Sequence, residues 1–458
     1  MVQSLIMRNK TKRFRLTPGM NIILGFLGLI LFGTFLLCLP ISNTSHKWLN
    51  FVDSLFTSTS AVCVTGLTVV DTATNFTYFG KTVILFLIQI GGLGIVALSS
   101  LIFLIIRKKI NLYDRLTIKE SLNKDTIQGV VKFIIKTIWV TLLIEFIGAL
   151  LLLYSTISYT HSFWKGLYFA IFMSVSAFCN AGMDILGSSG AEFTSLYSFA
   201  GNITMLLPIM MLIVIGGIGF VVLLDGFKNF KSKQHTRVVL LMTFILIFGG
   251  AISYTCLEWN NPNTLGNMSV GEKILNGFFQ SITTRTAGFA TLDQNLLTKG
   301  SRVLTIFLMF IGGAPNSTAG GIKVTTLFIL LLFLFKLPNE SGDIRLKDRK
   351  VSKKIIMKVF RLVFYSVLAI ILGVILVSIF EPESISLESI IFECVSALST
   401  VGLSMGITPI LSVGSKLVLI MLMFIGRVGL LTIALAFSSR SINSKQPEIE
   451  FSNTDIII

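Results

Sequence analysis

A chain of 458 residues that is 53% hydrophobic and only 13% charged cannot be an ordinary water-soluble globule and reads as a polytopic membrane protein. The formal net charge of +16 would suit nucleic acid, but 28 of the 38 Lys and Arg residues fall in five segments, 8–15, 107–136, 228–237, 336–361 and the C-terminal tail. These are alternate connections between apolar runs, so the positive-inside rule puts them and both termini on the cytoplasmic face of a plasma (inner) membrane, and nucleic acid is excluded as a partner.

In chain order, the apolar runs predict a helix at 19–39, an amphipathic segment at 47–60 and a second helix at 82–106. The same order returns at 133–155, 162–176 and 199–227, at 238–257, 272–282 and 302–335, and at 355–380, 387–396 and 417–437. The basic start followed by an apolar run resembles a signal peptide, but 19–39 is long enough to span and no small-residue cleavage site follows it. The full-length runs suggest eight crossings; the four amphipathic segments are too short to cross a core of about 30 Å and have the length of re-entrant segments.

Each amphipathic segment leads into a glycine. Phe56, Phe172, Phe278 and Phe392 each stand ten residues before Gly66, Gly182, Gly288 and Gly402, and the glycines are spaced by 116, 106 and 114 residues. A second marker follows each one: Ile90-Gly91-Gly92-Leu93-Gly94, Ile215-Gly216-Gly217-Ile218-Gly219, Ile311-Gly312-Gly313 and Ile425-Gly426-Arg427-Val428-Gly429. The chain therefore reads as an all-α membrane protein of four tandem helix–pore-loop–helix repeats, 1–110, 111–236, 237–340 and 341–458. Two crossings per repeat make all four point the same way, so they pack around an axis along the membrane normal rather than in its plane. That arrangement makes a central pore.

Before each glycine stand Val64-Thr65, Asn180-Ala181, Thr286-Ala287 and Thr400-Val401, which offer backbone carbonyls, small side chains and no carboxylate. Carbonyl rings of this kind replace the hydration shell of a potassium ion, and a helix ending at the turn aims its partial negative end at the same place. One such copy alone would read as a tight-packing glycine in a bundle; four in register read as a filter. The five cysteines are scattered and the three histidines stand at or beyond span ends, so neither a disulfide framework nor a zinc site is suggested.

These four glycine segments, with Thr284-Arg285-Thr286-Ala287-Gly288-Phe289 and the stretch 312–323, resemble the Trk/Ktr/HKT superfamily of potassium transporters over almost the whole chain. The short N-terminal lead of 18 residues favours its Ktr membrane-subunit branch. The resemblance implies K+ as the transported ion with no organic cofactor, a pseudo-fourfold pore in each protomer, a homodimer in the lipid membrane, and a cytosolic RCK-type ring of nucleotide-binding regulatory subunits.

The third second-helix carries Gly312-Gly313-Ala314-Pro315-Asn316-Ser317-Thr318-Ala319-Gly320-Gly321, through which a helix cannot easily persist. The residues leave open a proline kink or an unwound loop; the resemblance implies an intramembrane gating loop, with Asn316 where its pattern would have glycine. Arg427 stands mid-span, where a charge costs at least about 2.5 to 3.5 kcal/mol, so it faces the bundle interior or a wet cavity. It either bonds helix carbonyls as a structural residue or, as the resemblance implies, lies in the pore beside the gating loop. Glu145 reads as an interhelical hydrogen-bonding residue and Arg285 as a scaffold behind the filter. The rival readings are a sodium-conducting or weakly selective cation pore on the same fold, which in the plant branch is associated with Ser at the position of Gly66, and a membrane enzyme, for which no cluster of acids, bases or metal ligands appears.

Overall fold

The computed structural model describes residues 18–94, 130–187, 192–226, 234–336, 342–346 and 349–429. Four of its helices are long and apolar enough to cross a membrane: α1 (Pro18–Cys38), α5 (Val130–Thr160), α9 (Gln234–Glu258) and α13 (Lys353–Phe380). They are the four first helices expected from the sequence, extended by up to a turn and a half. Their outer faces carry large apolar side chains such as Phe35, Trp139, Phe244 and Phe364, all exposed, as suits contact with lipid rather than water.

A short helix follows each long one: α2 (Phe51–Cys63), α6 (Phe163–Cys179), α10 (Val270–Thr283) and α14 (Leu387–Ser399). Three of them end three residues later than the apolar pattern suggested, and α10 one residue later, because their last turns are rich in Ser, Thr and Cys yet buried. Asn50, Ser269 and Ser386 cap three of the N-termini, and Ser269 with Glu272 forms a capping box.

The one-turn helix α3 (Thr72–Asn75) precedes the first of the second helices, α4 (Tyr78–Leu93). The others are α7 (Ile203–Ile218) with α8 (Phe220–Gly226), α11 (Lys299–Phe310) with α12 (Val324–Phe335), and α15 (Val413–Val428). Thr77, Asn202, Thr298 and Ser412 cap them by accepting a hydrogen bond from the third residue on. Glu258, at the end of α9, bonds the backbone and side chain of Thr298, and Glu381, after α13, bonds the backbone of Ser412. Long and second helices of the third and fourth sets are thereby tied at one end.

The continuous helix expected over 199–227 is corrected. It starts at Ile203 and is broken at Gly219, whose φ of +93° leaves the helical region. Gly94 and Gly429, in the same marker, have φ of +87° and +90° and end α4 and α15; the expected 95–106 and 430–437 lie outside the described residues. Among the described residues, the second helices of all four sets thus end or break at the glycine marker, where a break was expected only of the third. The all-α expectation is also modified by a small hairpin, β1 (Ile344–Leu346) paired antiparallel with β2 (Arg349–Val351). Its charged sequence reads as a loop, but Asp343 accepts hydrogen bonds from Lys350 (2.8 Å) and the Lys353 amide (3.0 Å), and the Lys350 bond holds its carboxyl below the usual range.

The sets close on themselves. Each short helix packs against the second helix of the set before it, α6 on α4, α10 on α7, α14 on α11 and α2 on α15. Two of these seams carry ion pairs, Arg302 to Glu388 (3.0 Å) and Lys416 to Asp53 (2.8 Å). The first glycine of the second marker lets the helices meet: a Cβ on Gly91, Gly216 or Gly426 would overlap the carbonyl oxygen of Val62, Phe178 or Leu398, one residue short of the short helix's end. Gly216→Val therefore lowers the apparent melting temperature in detergent, at a cost of about 1 to 3 kcal/mol or more, whereas Gly249→Val, whose Cβ would meet nothing within 4 Å, leaves it unchanged.

Candidate functional site

Each short helix turns into its glycine through a residue in the left-handed region. Val64 (φ +57°), Asn180 (+59°), Thr286 (+69°) and Thr400 (+51°) all stand two residues before the glycine. Only Asn favours that conformation, and Val and Thr adopt it at a cost of about 1 to 3 kcal/mol each. The helix ends hold them there. The amides of Thr65, Ala181 and Val401 bond the carbonyls of Ser60, Ser176 and Ser396 at 2.8 to 2.9 Å, and that of Ala287 bonds Thr283 at 2.9 Å. Last-turn hydroxyls complete the hold: Ser60 and Ser396 accept from the amides of Gly66 and Gly402 at 3.0 Å, while Ser176 and Thr283 donate to the carbonyls of Met183 and Phe289 at 2.6 Å.

The four glycines meet in a closed cycle. A Cβ on Gly66 would lie 3.2 Å from the Cα of Gly182, one on Gly182 2.8 Å from Gly288, one on Gly288 3.2 Å from Gly402, and one on Gly402 2.9 Å from Gly66. In each case it would also strike the carbonyl oxygen preceding the next glycine, namely those of Ala181, Ala287, Val401 and Thr65. With φ of +97°, +63°, +80° and +93°, none of the four positions admits another residue without strain. All twelve residues singled out from the sequence come together in this ring.

Residues 311–323 separate α11 from α12 as an unwound loop, not a kinked helix. Ile311 pairs with Ile322 in a single bridge, and the amides of Gly312 and Val324 bond the carbonyls of Ile322 (2.8 Å) and Gly313 (3.1 Å). The rest of the loop leans on its neighbours. Ala314 bonds the Gly217 carbonyl (2.9 Å), the Thr318 hydroxyl bonds the Phe178 carbonyl (3.1 Å), and Gly320 lies so close to Thr400 that a Cβ would overlap its hydroxyl. Asn316 takes φ +57° where glycine was expected, a conformation that asparagine tolerates, and its carbonyl accepts from Phe220 at 2.8 Å.

Arg427 reaches from α15 to the carbonyls of Thr318 in this loop, Gly91 and Gly92 (3.2 Å). The first and third sets face each other across the glycine cycle, so one guanidinium stands between them, beside the Thr318 that binds the second set. All four sets are joined at this point.

The cation transport protein model TrkH matches residues 17–446. The chain belongs to that family. Potassium/sodium uptake protein NtpJ of Enterococcus hirae is 38% identical over 453 residues, covering 97% of this chain and 98% of NtpJ. Ktr system potassium uptake protein B of Bacillus subtilis is 39% identical over 443 residues, covering 96% of this chain and 97% of the relative. The crystal structure of the potassium transporter TrkH from Vibrio parahaemolyticus shares the fold at a TM-score of 0.71 with 19% identity, covering 93% of this chain and 86% of that one. This TrkH-family chain is accordingly an integral membrane transport protein of the Trk/Ktr superfamily and not an enzyme.

Glu145 accepts a hydrogen bond from Gln89 (3.0 Å) across the seam between α5 and α4, as expected of an interhelical partner. Arg285 is buried, bonds the Thr243 hydroxyl at 3.5 Å, and lines a cavity with Ile213, Gly217, Ile282 and Gly313 behind the ring. Two charged residues escaped the sequence reading. Lys323 bonds the carbonyls of Ala319 (2.7 Å) and Gly320 (3.1 Å), so a second cation secures the loop; its place at the end of the Pro-Gly stretch was the available signal. Glu393 is buried within α14, close to the turn, and with Ser389 and Ser396 beside it on the helix it reads as part of the polar side of an amphipathic segment, so nothing local marked it. Removing the Arg427 bonds leaves buried carbonyls unpaired at about 1 to 3 kcal/mol each, so Arg427→Ala has a lower melting temperature than wild type by a fluorescence thermal shift in detergent, while its size-exclusion peak stays monodisperse.

Proposed function

We propose that this chain is the pore-forming subunit of a potassium uptake system, built as four helix–pore-loop–helix repeats, 1–110, 111–236, 237–340 and 341–458, with eight crossings and four re-entrant helices around one axis. The observation that carries this reading is the closed cycle of Gly66, Gly182, Gly288 and Gly402, each with the preceding carbonyl of the next set against it. In this reading the carbonyls of residues 64–66, 180–182, 286–288 and 400–402 replace the hydration shell of K+, and the ion passes down its electrochemical gradient. The four short helices bring their negative C-terminal ends to the same level, which favours a cation without a carboxylate that would bind it too firmly.

Residues 312–321 with Arg427 then form the gate. The loop lies on the side of the ring where the short helices end, and a guanidinium at contact range opposes a partly dehydrated cation by a few kcal/mol even at an effective dielectric of about 20. Opening requires the loop to leave Phe178, Gly217 and Arg427. A homodimer with a cytosolic RCK-type nucleotide-binding ring, and cytoplasmic termini, complete the proposal; the names of the Ktr system relatives, which describe one protein of a system, support a multi-component assembly. The name of NtpJ includes sodium, which favours a less selective pore as the second reading. Gly66 speaks against it, because the tight cycle has no room for a side chain.

Rubidium and sodium uptake into proteoliposomes decides between them. Potassium selectivity appears as rubidium uptake well above sodium uptake in wild type and as a ratio lowered at least about tenfold in Gly66→Ser, since a Cβ there meets the Ala181 carbonyl and displaces the ring. An unchanged ratio in the variant would remove Gly66 from the filter. The gate is tested separately. A Cβ on Gly313 would lie 2.6 Å from that of Ala319, so residues 314–318 can be excised with little movement of the flanking chain. The deletion raises rubidium flux, and a lower flux from monodisperse protein would make the loop structural.

A further inference from the structure

Beyond the twelve ring residues, the segment leaving Gly402 is fastened by one buried acid. Glu393 is 1% exposed, and its partners are neutral donors on the irregular segment that follows the glycine. Oε1 accepts from the Ser404 hydroxyl and from the Met405 amide (3.3 Å), and Oε2 accepts from the Thr408 hydroxyl (3.0 Å). Three residues on, on the same face of α14, Ser396 accepts from the Gly402 amide at 3.0 Å, and its carbonyl receives the Val401 amide at 2.9 Å. One helix face therefore grips the chain on both sides of Gly402. The Met405 carbonyl is bonded in turn by Asn295, in the short 3-10 turn Gln294–Leu296 that follows Gly288.

The third set has a neutral version of the same device. Gln280 in α10 donates to Gln294 at 2.7 Å, and Gln294 donates to the Leu292 carbonyl at 2.8 Å, tying the short helix to the segment after Gly288. The first and second sets use other groups: Asp71 caps α3 and accepts from the Phe193 amide, and Tyr159 of α5 donates to the Leu186 carbonyl. Ser176 and Thr283 reach only the residue after their glycines, whereas Gln280 and Glu393 hold the chain further on, and among the described residues only Glu393 does so with a carboxylate.

We infer that Glu393 is a positioning residue for ion discrimination, which by holding Ser404, Met405 and Thr408 fixes the direction of the carbonyls from Thr400 to Gly402. The inference rests on the proposed filter. A carboxylate suits the task because it accepts at both oxygens and can satisfy three donors at once, which no neutral side chain of its length does by acceptance alone. Gln accepts from Ser404 and Met405 through its oxygen and can donate to the Thr408 oxygen, so it should preserve the clamp. Ala should not.

Rubidium and sodium uptake is measured on full-length protein in proteoliposomes for wild type, Gly402→Ser, Glu393→Gln and Glu393→Ala. The inference expects Gly402→Ser and Glu393→Ala each to lower the rubidium-to-sodium ratio at least about fivefold, with Glu393→Gln within about twofold of wild type. Glu393→Ala that lowers both rates in proportion, or leaves the ratio unchanged while Gly402→Ser collapses it, overturns the inference and leaves the filter standing. Should Gly402→Ser itself leave the ratio unchanged, the filter reading falls and this one with it. If Glu393→Ala does not give monodisperse protein, Ser404→Ala with Thr408→Val, which removes two of the three donors and leaves the acid in place, decides on the same ratio.

Discussion

A peptide group inside a bilayer finds no water to bond, so every turn at membrane depth must have its amides and carbonyls answered by the protein itself. This constraint runs through the whole chain. The short helices end in mid-structure, and their last-turn serines and threonines answer the amides and carbonyls of the turns that follow. The second helices break at glycines, and the carbonyls freed at Gly91, Gly92 and Gly217 are taken up by Arg427 and by Ala314. Polar side chains that would be odd in a lipid-facing helix are therefore concentrated where the backbone is irregular.

The same arrangement explains how strain is tolerated. Val64, Thr286 and Thr400 occupy left-handed conformations that a branched side chain resists, and each is fixed by a helix end behind it and by a neighbouring set in front. No set could hold its turn alone, because the wall of each turn is the next set's backbone. Closing the cycle is what makes the three strained turns and that of Asn180 stable together, and it also makes their geometry common to all four.

The long helices, the short helices and the twelve ring residues were legible because they repeat: glycine after a fixed interval from phenylalanine, in segments of nearly equal spacing, states both the element and its partner. Arg427 could be placed inside the bundle because charge in a span has few other places to go. What the sequence did not disclose depends on contacts between distant segments. That Gly219 breaks α7 from α8 goes with its close approach to the Pro315 carbonyl of the 311–323 loop, and no local pattern reports that approach. The left-handed cap is equally silent, since Val, Asn, Thr and Thr have no common propensity for it. Glu393 looked like the polar side of an amphipathic helix because its three donors lie on the far side of the turn.

The single guanidinium beneath the ring carries a lesson about why such a structure is made from one polypeptide. In an assembly of four copies of the same subunit, any arginine at this height would appear four times, and four like charges at contact range would repel one another. Tandem fusion of the four units frees each position to differ. One unit can supply the cation, its neighbour the unwound loop that the cation bonds, a third only carbonyls, and a fourth an acceptor for Thr318. The departure from symmetry on the side where α15 and the loop meet is thus a use of covalent linkage that no oligomer of identical chains has available.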